Sequence, residues 1–85
     1  MAEYRFRQHN EVVSREHALR LAQAAEEAGS VAVRATHNEG DLYPQAPYGM
    51  FRVPEGQIRL SISGDARNID GLHGAADALS HDKAA

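Results

Sequence analysis

Apolar and polar side chains alternate over residues 4–8, the period of two that turns one face of a β-strand to a core and the other to water. The same alternation returns over 31–36, 50–53 and 57–63, with Val31, Val33, Phe51, Val53, Ile58, Leu60 and Ile62 at the apolar positions. Between the first two strands the period changes. Ala18, Leu21, Ala22, Ala25 and Ala28 recur at steps of three and four, Ser14 offers an N-cap hydroxyl, and Gly29 follows the last apolar residue. This spacing predicts a helix over 15–28. Its inner face is mostly alanine, so it approaches its neighbours closely while burying little area. Near the end of the chain Ile69, Leu72, Ala76 and Leu79 carry helical spacing behind Asn68 as a cap, although Gly71 and Gly74 each cost about 1 kcal/mol against alanine.

The predicted order is β-α-β-β-β-α in one domain spanning 1–85. The fold class is α+β, a two-layer arrangement with an antiparallel or mixed sheet and two helices on one face. Pro54-Glu55-Gly56 carries turn chemistry and predicts a hairpin between the last two strands. Residues 37–49 read as a long connecting loop and 81–85 as a frayed tail. From residue 14 to residue 80 the α-β-β-β-α order is similar to that of double-stranded RNA-binding domains. Those domains open the last helix with a lysine-rich cluster, whereas Asn68, Ile69, Asp70 and Gly71 stand here, so membership is not implied.

Eighty-five residues support a stability of about 4–13 kcal/mol and a core of one layer, too thin for a deep enclosed active site. Tyr4, Phe6, Val12, Val13, Leu19, Leu21, Leu72 and Leu79 join the strand residues as candidates for that core. With no cysteine the chain forms neither disulfides nor thiolate zinc sites. No apolar run approaches the roughly 18 residues of a membrane span, and Met1-Ala2-Glu3 does not begin a signal peptide, so the expectation is a cytoplasmic protein away from membranes.

Charge adds a candidate surface. The formal net charge is -3, yet Arg5, Arg7, Arg34, Arg52 and Arg59 each alternate with apolar neighbours in a predicted strand. Alternation within each strand predicts five guanidinium groups on the face away from the core, where their planar forks suit carboxylates or phosphates. The bland alternative is a solvated sheet face, in a chain with eight arginines and one lysine. In the loop, Pro44 and Pro47 are flanked by Tyr43 and Tyr48. The two rings act either as a stiff contact loop or as covers over the edge of a small core, with Tyr48 expected to be the cover and Tyr43 the contact.

Catalytic patterns are weak. No glycine-rich phosphate loop follows a strand, no nucleophile sits in an elbow, and Glu26-Glu27 reads as a solvated pair. His37, Glu39 and Asp41, or His73, Asp77 and His81, have spacings that permit a metal, but neither matches a known ligand motif. His9 and His17 read as loop and first-turn residues. The reading is therefore a non-catalytic binding module, adaptor-, inhibitor- or immunity-like, with no cofactor and no metal. It would contact an acidic protein surface through the arginine face and the Tyr-Pro loop, as a monomer or weak homodimer. Two alternatives stand: a small oligomeric enzyme with a histidine and acid site at a subunit interface, and a nucleic-acid-binding domain.

Overall fold

The computed structural model describes residues 5–47 and 49–84, and side chains as far as Leu79. Tyr4, Tyr48 and the side chain of His81 lie outside the described residues. In chain order the elements are β1 (Phe6–Ser14), α1 (Arg15–Ala28), β2 (Val31–His37), β3 (Leu42–Pro44), β4 (Met50–Arg52), β5 (Gln57–Asp65), α2 (Ala66–Asp70) and α3 (Leu72–Ala84). β1, β5 and β2 form a three-stranded antiparallel sheet with β5 in the centre. The domain is α+β, with an antiparallel sheet and helices packed against it.

α1 follows its sequence signals in extent and at both ends, while on its inner face Ala24 is buried and the expected Ala22 and Ala28 are exposed. The Ser14 hydroxyl accepts a hydrogen bond from the His17 N–H at 3.1 Å, and the Gly29 N–H closes the other end on the Ala25 carbonyl at 3.1 Å. Leu21, Ala24 and Ala25 of α1 pack with Leu60 and Ile62 of β5, Ile69 of α2, and Leu72 and Ala76 of α3 to make the main core. The alanines allow α1 and α3 to come close. The second helical region divides at Gly71. Asp65, not Asn68, caps its first part by accepting from the Arg67 N–H at 3.0 Å, while the Asn68 side chain donates instead to the Gly29 carbonyl at 3.0 Å. α3 continues to Ala84, through part of the expected tail.

Residues directly opposite in an antiparallel pair share a face. Ile58, Leu60, Ile62 and Gly64 of β5 therefore place Val13, Glu11, His9 and Arg7 of β1 on the helix side. Three of those four are polar, so this flank of the sheet meets the helices through polar chemistry. Gly64 sits where β2 begins, opposite Val31, with φ +141°. The next N–H, that of Asp65, donates to the Ser30 carbonyl at 2.9 Å.

The expected hairpin across Pro54-Glu55-Gly56 does not form. The turn itself is present, with the Gln57 N–H donating to the Pro54 carbonyl at 3.1 Å, but β4 pairs with β3, inside the stretch read as a loop. Leu42, Tyr43 and Pro44 face Arg52, Phe51 and Met50 in this separate two-stranded ribbon. Hydrogen bonds from the Val53 N–H to the Asp41 carbonyl (2.9 Å) and from the Gly40 N–H to the Val53 carbonyl (2.8 Å) extend it. Several expected core residues are outside: Phe6, Phe51 and Leu19 are exposed, Leu19 at 74%.

Candidate functional site

The sheet face turned away from the helices carries Gln8, Asn10 and Val12 from β1, Arg59, Ser61 and Ser63 from β5, and Ala32 and Arg34 from β2. The Gln8 amide donates to the Ser61 hydroxyl at 2.8 Å. Arg34 is exposed and its guanidinium makes no ion pair among the described residues. Arg59 is engaged, with its guanidinium carbon 4.6 Å from the centre of the Tyr43 ring. That ring also meets His37 at 5.9 Å and Phe51 at 6.0 Å between centroids. Tyr43 is only 7% exposed, so the member of the loop expected to reach outward is a cover clamped beneath Arg59.

The five predicted arginines do not share one surface. Arg34 and Arg59 lie on the helix-free face. Arg7, opposite Gly64, points to the helix side, where its Nη1 donates to Asp70 Oδ1 at 2.7 Å. Arg52 belongs to the ribbon and donates to the Gly40 carbonyl at 2.7 Å. Arg5 precedes β1, and its carbonyl accepts from the Ala66 N–H at 2.8 Å. Alternation fixes sides within a strand, but the register between strands decides which of those sides coincide.

The two histidine groupings are dispersed as well. His37 turns to Thr36 and Tyr43, Glu39 pairs with Arg15 at 3.2 Å, and Asp41 accepts from the Asn38 N–H at 2.8 Å. His73 leaves its own helix face for residues far away in sequence. Its Nε2 lies 2.7 Å from Glu11 Oε1, and its Nδ1 is 2.8 Å from His17 Nε2. The second oxygen of Glu11 meets His9 Nε2 at 2.6 Å, and His17 Nδ1 is 3.9 Å from Asp77 Oδ1. β1, α1 and α3 thereby converge on one polar chain. Among the described residues, no three histidine, cysteine, aspartate or glutamate side chains are arranged to hold a metal ion. Sequence reasoning missed Glu11, His9 and His17 as members of this chain. Residues 8–11 are all polar, so no apolar alternation marked a strand there.

On the opposite flank of α1 an apolar cleft of about 440 Å³ opens between that helix and β2, lined by Ala18, Leu19, Ala22, Val33, Ala35 and Ile58. Arg15 and Asn38 stand at its edge, and Arg15 is already bonded to Glu39, so the cleft presents no acid-base pair. Asp65, at the end of β5, is buried against Arg67. The side-chain hydrogen bonds from Arg67, followed by that from its backbone N–H, hold the Asp65 carboxyl below its ordinary value. No helix among the described residues is long and apolar enough to cross a membrane. No family model matches this chain, and neither do curated proteins or solved structures.

Proposed function

We propose that the chain is a small binding module whose contact surface is the helix-free sheet face together with the adjoining β3–β4 ribbon, and that it docks on an acidic protein surface. One observation supports this reading: a sheet face with no helix over it, on which Arg34 is an exposed cation without an ion pair among the described residues, while Asp65 at its end is buried against Arg67. The ribbon adds exposed Leu42, Met50 and Phe51 beside it. Arginine next to aromatic and aliphatic side chains is the composition that anchors protein interfaces. A cytoplasmic setting belongs to the same reading, and so does a monomer or weak homodimer, since among the described residues the outer edges of β1 and β2 are unpaired.

The test is fluorescence anisotropy with a labelled poly-glutamate peptide and with random-sequence RNA, at about 50 and 200 mM salt. The expected result is peptide binding that Arg34→Glu weakens at least tenfold, with stability changed by under about 0.5 kcal/mol because the position is exposed. RNA binding whose logarithm falls by about 0.7 per phosphate contacted for each decade of salt would select the nucleic-acid reading instead. Binding to neither probe, or to both proteins alike, refutes the surface. A histidine-acid enzyme is favoured by the Glu11–His73 pair alone. It would require substrate beside that pair, whereas the apolar cleft lies on the other flank of α1.

A further inference from the structure

We propose that His17 and His73 form a single proton-binding site, holding one proton between two imidazoles, which fastens α3 to α1 and β1. The two ring planes differ by only 8° and their centroids are 5.0 Å apart, while His17 Nε2 and His73 Nδ1 are 2.8 Å apart. A centroid spacing about equal to the N···N contact plus two ring radii means that the rings lie edge to edge in nearly one plane. That is the geometry of an in-plane N–H···N hydrogen bond rather than of face-to-face stacking.

The protons can be assigned from the ends of the chain inward. An ionised carboxylate only accepts, so Glu11 takes an N–H from Nε2 of His73 and another from Nε2 of His9. In its neutral form His73 then has a lone pair on Nδ1 and accepts the Nε2–H of His17. This leaves Nδ1 of neutral His17 as a second lone pair facing the Asp77 carboxylate at 3.9 Å, an unfavourable contact. One added proton resolves it. Placed on His17 Nδ1, it points at Asp77, and both nitrogens of each ring in the pair then have a partner. Moving the shared proton across the 2.8 Å gap makes His73 the cation with the same set of bonds.

A second proton has no such place. It would put an N–H on both sides of the gap, break the inter-ring bond and set two cations side by side. The other charged groups nearby do not change this count. On β1, Arg7 is bonded to Asp70, and on α1, Glu16 and Arg20 flank His17 in sequence but, among the described residues, bond to neither ring. The geometry therefore has a place for one added proton on the pair and none for a second.

Titration of ¹⁵N-histidine-labelled protein by NMR from about pH 9 to 4 tests this across the histidine range. The expected result is two steps for His17 and His73 separated by more than about one pH unit, with one proton per pair between them. In His73→Asn, His17 should titrate in one step. In Asp77→Asn, whose side chain is 68% exposed, the first step should move to lower pH. Single, independent steps for both rings in the unaltered protein overturn the proposal, as does a first step that stays in place in Asp77→Asn. Those two titrations decide the matter even where His73→Asn does not fold.

Discussion

Replacing Gly64 with alanine should remove most of the stability of this protein. Gly64 lies in the central strand, opposite both Arg7 and Val31, with φ +141°, a region that L-residues rarely adopt. Holding alanine there costs about 1–3 kcal/mol. Its methyl group would overlap the Ser30 carbonyl oxygen and come within 2.8 Å of the Val31 Cα and 2.9 Å of the Ser30 carbonyl carbon. All three neighbours are backbone, so β2 must retreat from β5, an overpacking cost of about 1–3 kcal/mol. The Asp65 N–H to Ser30 carbonyl bond would be lost with it, at about 1 kcal/mol. The sum is roughly 3–7 kcal/mol against a total of about 4–13 for a chain of this length. Urea and thermal unfolding followed by far-UV circular dichroism measure it. At about 4–8 °C per kcal/mol, the melting temperature should fall by at least roughly 12 °C. Gly71→Ala is the matched control, since φ is -94° there and an added Cβ meets nothing within 4 Å. An unfolding free energy for Gly64→Ala within about 1 kcal/mol of the unaltered protein would refute the steric argument, because strain at that φ alone costs that much.

Tyr43→Ala should cost about 3 kcal/mol, the loss of a buried aromatic, and a melting temperature within a few degrees of the unaltered protein would show that the ring under Arg59 contributes little. Ser14→Ala removes the α1 cap and should lower the unfolding free energy by about 1 kcal/mol, with Ser14→Asp restoring most of it in the same assay. For Asp65, a folded carboxyl pKa held below its ordinary value gives a contribution that is complete above about pH 4 and lost as pH falls through the lower folded value. The melting-temperature deficit of Asp65→Asn should accordingly be largest near neutrality and shrink below about pH 4, and a deficit constant down to about pH 2.5 contradicts the assignment.

α1 was legible because cap, spacing and terminating glycine are all local, and the structure uses Ser14, Leu21, Ala25 and Gly29 as read. The middle of β5 was legible because Ile58, Leu60 and Ile62 face one core and the residues between them do not. β1 was cut short at residue 8 because its inner positions beyond that are His9 and Glu11, which meet the polar side of α3 instead of an apolar layer. The partner of β4 was invisible for another reason. β3 is three residues long, too short to show a period, and the turn chemistry at 54–56 marks a change of direction without naming which strand follows it. The arginine face failed on register: Arg7 is in step with Arg5 along the chain, yet the pairing with Gly64 turns it to Asp70. The polar chain joins residues 9, 11, 17 and 73, a separation at which no spacing rule operates.

The β3–β4 ribbon stands outside the logic of the rest. β2 and β5 are antiparallel neighbours, and His37 lies opposite Arg59, so the chain re-enters the sheet beside the point where it left. Residues 38–56 are thus a detour from what would otherwise be a plain hairpin. Their buried side chains, Tyr43 and Val53, belong to none of the main core. Closing an extra loop of this kind grows more costly only slowly with its length, by about 0.6 kcal/mol per doubling. The detour is accordingly the segment whose length the scaffold constrains least, as long as a replacement again covers Arg59 and His37 as Tyr43 does.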